Sequence, residues 1–262
     1  MSSRIVATFR AAHFLPTMVV TLLTFILSFR TSDFATAIGI ALTFFAGQLI
    51  IGWSNDVIDF NDDLSHNRSN KPLVAGVISI RLLHYAITAA VIALLIMTFL
   101  GPLASFYGFL HLVAVVSALA YNAKLKRTIF SFLPYFVSFG LLPVIILGAT
   151  EEPIQWWIPV IGALFGVGVH VANVFKDLEE DIKSGINGLP QIAGVKISRI
   201  ICALCFGSSA LILYSQTENQ SSLLILGGAL VFLLPMPPKI SFPLAMVLGL
   251  ATMSVFTIGI GA

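Results

Sequence analysis

Charge is what this sequence most lacks. Only 10% of its 262 residues are Asp, Glu, Lys or Arg, against about 25% in an ordinary soluble domain. So few charges cannot cover a globular surface, and lipid must be the solvent for much of the chain. Cysteine is scarce too. Cys202 and Cys205 are the only two, and they sit in an apolar stretch with no His or further Cys beside them. They read as small packing residues and report no redox compartment. A net charge of +2, with no basic stripe interleaved with aromatics, excludes nucleic acid as a partner. Arg4 and Arg10 precede an apolar run that superficially resembles a signal peptide. The run 14–29 is long for a signal core and no small-residue cleavage site stands out, so it reads as a retained first span.

What is there is hydrophobic. Apolar residues make up 58% of the chain and the mean hydropathy is +0.98. Stretches of about 20 apolar residues cross a bilayer as helices. Breaks at charge clusters and Pro/Gly turns predict nine spans, at 12–29, 34–54, 82–100, 103–121, 130–148, 155–175, 197–214, 221–236 and 241–260. The last two are separated only by Pro237, Pro238 and Lys239 and could form a re-entrant pair. With the N-terminus cytoplasmic, every Lys and Arg except Arg30 falls on the inner side, as the positive-inside rule expects. The C-terminus then lies opposite. Pro134 and Pro143 are expected to kink the fifth span. His84, His111 and His170, isolated among apolar neighbours, read as helix-packing residues.

Eight of the twelve carboxylates gather at two places, Asp56 to Asp63 and Asp177 to Asp181. Ionised carboxylates in or beside a span are costly, so these clusters need a reason. They also repeat: Asn55-x-x-x-Asp59-x-x-x-Asp63 matches Asn173-x-x-x-Asp177-x-x-x-Asp181. Each copy closes the second helix of a four-helix group, which predicts two related halves plus one helix. No linker separates them, so 1–262 reads as a single domain.

Residues at i, i+4 and i+8 form one stripe on a helix. Two facing stripes would make an all-oxygen site that is unfavourable without cations. Hard oxygen donors select magnesium or calcium, and magnesium shares its shell between a few carboxylates and phosphate oxygens. The cations that follow, Arg68 and Lys71, then Lys124, Lys126 and Arg127, then Lys183, suit phosphate. Together they describe a cage for a metal-bound diphosphate. Arg10, with His13 near the start of the first span, is a candidate for recognising an anionic acceptor.

With these motifs in place the sequence resembles the UbiA superfamily of intramembrane prenyltransferases. Asn55-Asp56-x-x-Asp59-x-x-x-Asp63, followed by Arg68 and Asn70-Lys71-Pro72-Leu73, is similar to that family's first motif and loop, with Lys71 where many members have Arg. Tyr121 with Lys126-Arg127 resembles its second loop. Asp177-x-x-x-Asp181 with Gly185 and Leu189-Pro190 resembles its second motif. The likeness spans about residues 10 to 200. It implies an all-α polytopic membrane protein with its nine helices around a central cavity, and transfer of an isoprenyl group from an allylic isoprenyl diphosphate. Two Mg2+ ions are expected, one on Asn55, Asp56, Asp59 and Asp63 and one on Asn173, Asp177 and Asp181. Asp59, Asp63, Asp177 and Asp181 then carry the catalysis, and Arg68, Lys71, Tyr121, Lys126, Arg127 and Lys183 bind the diphosphate. The isoprenyl tail is expected in an apolar channel open to lipid, which suits a chain with 21 Phe. A membrane terpene cyclase, which needs no acceptor, and a cation-coupled transporter are the rival readings. The acceptor, the prenyl length and the oligomeric state stay open.

Overall fold

The structure, a computed structural model, describes residues 2–175, 177–183 and 185–260, and only the backbone of residues 2, 3, 104, 105, 179, 180, 183 and 258–260. Among the described residues there are α-helices and short 3-10 turns and no strands. The helices are α1 (Ser2–Ala11), α2 (Phe14–Thr31), α3 (Phe34–Ser65), α4 (Ile80–Leu100), α5 (Ala104–Ala123), α6 (Leu133–Ala149), α7 (Trp157–Val174), α8 (Leu178–Lys183), α9 (Leu189–Thr217), α10 (Ser221–Leu230) and α11 (Pro238–Ile260). Among the described residues eight segments are long and apolar enough to cross a membrane, one in each of α2 to α7, α9 and α11. The fold is all-α and multi-pass, as the sequence predicts. The expected span at 221–236 is different. It is met by a shorter apolar helix, Ser221–Leu233, because the chain turns extended at Leu234 ahead of three prolines.

Local chemistry sets the helix ends. Asp33 caps α3 by accepting hydrogen bonds from the Ala35 and Thr36 N–H groups at 2.9 and 3.2 Å, which supplies partners to donors that no helix can satisfy itself. The Thr36 hydroxyl bonds the same carboxylate at 2.6 Å, and these bonds hold the Asp33 carboxyl below its ordinary range. With 32 residues, α3 is about 48 Å long at 1.5 Å per residue, whereas the hydrocarbon core is about 30 Å thick. Its apolar N-terminal part spans. The last turns, carrying Asn55 to Asp63, can project beyond the hydrocarbon. Pro134 stands in the first turn of α6, where a missing N–H costs little, so only Pro143 lies in the helix interior. Along α4, Ile92, Ile96, Phe99 and Leu100 are exposed while Leu83, Ala90 and Leu94 are buried. An apolar residue on both faces is what lipid on one side and protein on the other require.

The chain divides into two compact units, Met1–Ala123 with Ile145–Glu152, and Lys124–Val144 with Pro153–Ala262. The first has a core of Ala7, Ala11, Ile50, Trp53, Leu73, Ile78 and their neighbours. Leu73 and Ile78 belong to the loop after motif one, so the same burial that packs α1 against α3 also anchors that loop. In the second unit, Gly162 and Gly166 bring α7 close enough to α6 that a Cβ on either would meet the Phe139 or Tyr135 carbonyl. Small residues let membrane helices approach in this way. Cys202 and Cys205 are free and buried, as packing residues should be. His111 lies against Phe44 with ring centroids 4.2 Å apart, and His170 against Tyr135 at 4.6 Å. His84 departs from the packing expectation, since it is exposed near the start of α4.

Candidate functional site

In the first unit the motif residues meet. Asp63, whose side chain is 1% exposed, pairs through Oδ1 with Arg68 Nη1 at 3.2 Å and through Oδ2 with Lys71 Nζ at 2.6 Å. The same ammonium lies 3.0 Å from Asp56 Oδ1, on a side chain only 3% exposed. Asp56 and Asp63 are seven residues apart, two turns along one face of α3, and Lys71 bridges them. Burial pushes the Lys71 ammonium down, but Asp56 and Asp63 outweigh it and hold the group above its ordinary value. The bridge is therefore ionised on the lysine side at any physiological pH.

Beside this cluster runs an amide network. Asn55 Nδ2 donates to Asp59 Oδ2 at 3.1 Å and to Asn122 Oδ1 at 3.3 Å. Asn122, buried on α5, donates in turn to the Ile51 carbonyl at 2.9 Å. This satisfies an amide that would otherwise be costly in a span. Asn55 Oδ1 is 3.1 Å from His13 Nε2. Arg10 is exposed and does not join the cluster directly. It lines a cleft of about 550 Å³ with Val6 and Ala7 of α1 and Asn70, Pro72 and Val77 of the loop.

The second unit departs from the expected stripe. Asn173 ends α7, half-buried, and the helix stops at Val174. Asp177 stands in the turn that follows, its N–H bonded to the Val174 carbonyl at 3.1 Å. Its own carbonyl accepts from the Asp181 N–H at 2.9 Å, so Asp177 stands at the cap position immediately before α8. The reason is local: Asp-Leu-Glu-Glu is an N-terminal signature, a capping residue with acids in the first turn. Asn173, Asp177 and Asp181 thus do not share one continuous helix. Asp181 accepts from Gln191 Nε2 at 2.9 Å, and the chain returns to that contact through Gly185, at φ +73°. Gly188 lies so near the Lys126 carbonyl and Ser131 Oγ that a Cβ would sit 2.9 and 3.0 Å from them. The Lys126–Arg127 loop therefore borders the segment after motif two. Ser131 Oγ accepts from the Leu189 N–H at 2.9 Å and contacts His170 Nε2 at 3.0 Å. Tyr121 and Lys126 are half-buried and Arg127 is exposed; the Lys183 side chain lies outside the described residues.

Two pairings escaped the sequence, Gln191 with Asp181 and His13, named there only beside Arg10, with Asn55. Gln191 follows Asp181 by ten residues across a glycine turn, and His13 precedes Asn55 by forty-two; neither distance has a helical or hairpin period. Among the described residues no three His, Cys, Asp or Glu side chains form a ready metal cage. The donors are nonetheless hard carboxylate and amide oxygens. Asp56 Oδ1 is buried without an aligned hydrogen bond, beside a side-chain cation. This chemistry fits Mg2+ completed by phosphate oxygens.

An integral, multi-pass helical protein with buried acidic side chains paired to half-buried cations at a helix end is the class that fold and site define. The sequence model of the UbiA prenyltransferase family matches residues 14–258. The chain belongs to that family and is a membrane prenyltransferase. No curated protein matches it in sequence. Among solved structures it is similar to a membrane digeranylgeranylglyceryl phosphate synthase, at 14% identity and TM-score 0.72 over 99% of each chain. It is similar as well to a UbiA homolog from Archaeoglobus fulgidus bound to GPP and Mg2+, at 15% identity and TM-score 0.72 over 98% of this chain and 100% of the other. The same homolog bound to DMAPP and Mg2+ shows 17% identity and TM-score 0.72 over 97% and 99%.

Proposed function

We propose that the protein transfers an isoprenyl group from an allylic isoprenyl diphosphate to a lipid-accessible acceptor, in a Mg2+-dependent reaction. The observation that carries this is the Asp56–Lys71–Asp63–Arg68 cluster at the end of α3, its two carboxylates buried and its two cations half-buried, with Asn55 and Asp59 beside it. The relatives bound to GPP or DMAPP with Mg2+ support it.

Asn55, Asp56, Asp59 and Asp63 would hold one ion, and Asn173, Asp177 and Asp181 a second. Bound Mg2+ would neutralise charge developing on the departing diphosphate. Arg68 and Lys71 do the rest of that work in the first unit. Without ligand they neutralise Asp56 and Asp63. An ammonium has three donors and a guanidinium five, so each can turn N–H groups to diphosphate oxygens when the donor arrives. Tyr121, Lys126, Arg127 and Lys183 are assigned to the same leaving group. As the allylic C–O bond breaks, its electron pair leaves with the diphosphate. The acceptor then supplies the pair for the new bond to carbon and loses a proton. Fixed cations in a water-poor site favour that ionisation. The cleft at Arg10 suits the acceptor: apolar walls and one guanidinium fit an amphiphile with an anionic head.

We also read the chain as one catalytic domain with nine crossings, motifs cytoplasmic and the C-terminus opposite. Arg199, five residues past the Gly194 kink in α9, donates to the Met236 carbonyl at 2.9 Å. The chain leaving α9 at Thr217 therefore returns to the level of Arg199 through α10 and the extended residues after it. That return matches about 27 Å of helix, close to a bilayer core.

Purified protein in lipid nanodiscs, given an allylic diphosphate, Mg2+ and a membrane extract, should release diphosphate and form one prenylated product seen by mass spectrometry. A cyclic hydrocarbon or alcohol formed without acceptor would replace this reading with the cyclase. Cation flux without diphosphate release would replace it with the transporter.

A further inference from the structure

His13 joins α1 to α2 in a left-handed conformation, φ 53° and ψ 59°. Such a backbone is uncommon for a residue with a side chain and persists only where its surroundings over-determine it. Three contacts do so here. Gly52 of α3 lies against Ala12, where any Cβ would strike the carbonyl. Trp53 Nε1 donates to the Thr8 carbonyl at 2.8 Å. Thr17 Oγ1 donates to the Ala12 carbonyl at 2.7 Å. The elbow is thereby clamped to the turn of α3 that precedes Asn55, and His13 Nε2 arrives 3.1 Å from Asn55 Oδ1.

The amide network decides the direction of that bond. Asn55 Nδ2 already donates to Asp59 and to Asn122, so Oδ1 is the accepting end and His13 Nε2 carries the proton. We propose that His13 is a positioning residue for motif one: by donating to Asn55 it fixes the amide flip, and the amide then holds the Asp59 carboxylate in place to receive a divalent cation. This rests on the metal reading above. Outer partners that orient metal-binding groups commonly change metal affinity about 10-fold to 100-fold when removed.

The test is direct metal binding by the full chain in nanodiscs, without turnover. Mn2+ is titrated in the presence of pyrophosphate, and free Mn2+ is read by electron paramagnetic resonance. His13→Ala should weaken binding about 10-fold, while His13→Gln, which keeps a donor, should stay within about threefold of the parent. If His13→Ala folds poorly, His13→Met against His13→Gln asks the same question at matched length. Parent-like affinity in His13→Ala or His13→Met, with Asp59→Asn still losing the ion, overturns the role of His13 and leaves the metal reading standing. A parent protein that binds no Mn2+ overturns both.

Discussion

Lys71 shows how much one side chain can carry. Its ammonium is shared by Asp56 and Asp63, both almost wholly buried. Removing one partner of a buried ion pair leaves an uncompensated charge and costs about 3–5 kcal/mol. Lys71→Met should therefore lower the unfolding temperature in detergent markedly, and adding Asp63→Asn should recover part of the loss. The pH sign follows from the raised Lys71 group. Its stabilisation is complete below the ordinary lysine value and disappears only as pH rises through the higher folded value. Thermal unfolding between pH 7 and 9 should show no loss traceable to this lysine, whereas Lys71→Met should be unstable across that whole window. Asp59→Asn is expected to abolish diphosphate release while leaving the unfolding temperature near that of the parent. If turnover survives this change, Asp59 is not a metal ligand.

At the scale of elements, function depends on how α3 is held. Its spacing made one stripe of Asn55, Asp59 and Asp63 legible from sequence, because a continuous helix converts i, i+4 and i+8 into a shared face. The same rule misled in the second copy, where Asp-Leu-Glu-Glu starts a new helix and breaks the stripe at Asp177. A capping signal overrode a periodicity signal. Gly52 is the element-level counterpart in the first unit. Gly52→Ala should push α3 from the Ala12 carbonyl, at a cost of about 1–3 kcal/mol, and slow turnover by displacing His13 from Asn55. Normal activity with unchanged stability in Gly52→Ala would show that the elbow yields freely. Asp33→Ala, far along α3, should reduce stability without altering metal affinity, and the cap's contribution in the parent should vanish only as pH falls through the depressed Asp33 value.

For the whole molecule, membrane topology is the open arithmetic. Eight long apolar helices are present among the described residues, and Ser221–Leu233 at 13 residues is about 20 Å long. Four extended residues at about 3.3 Å each bring that close to a bilayer core. Cysteines substituted at Glu218 and Lys239, labelled in sealed vesicles by an impermeant thiol reagent, should therefore react from opposite faces. Reaction from the same face would make Ser221–Leu233 re-entrant and place the C-terminus on the cytoplasmic side.

The sequence alone determined that this chain dissolves in lipid and crosses repeatedly, and it singled out two acidic motifs with basic followers as the candidates for its chemistry. Those properties follow from composition and from spacings along a single helix. Tertiary structure decided that Lys71 bridges Asp56 and Asp63, that Gln191 reaches Asp181, and that a clamped elbow presents His13 to Asn55. Each of these joins residues brought together by helix packing and loop anchoring, and no local period records where such packing brings the chain back.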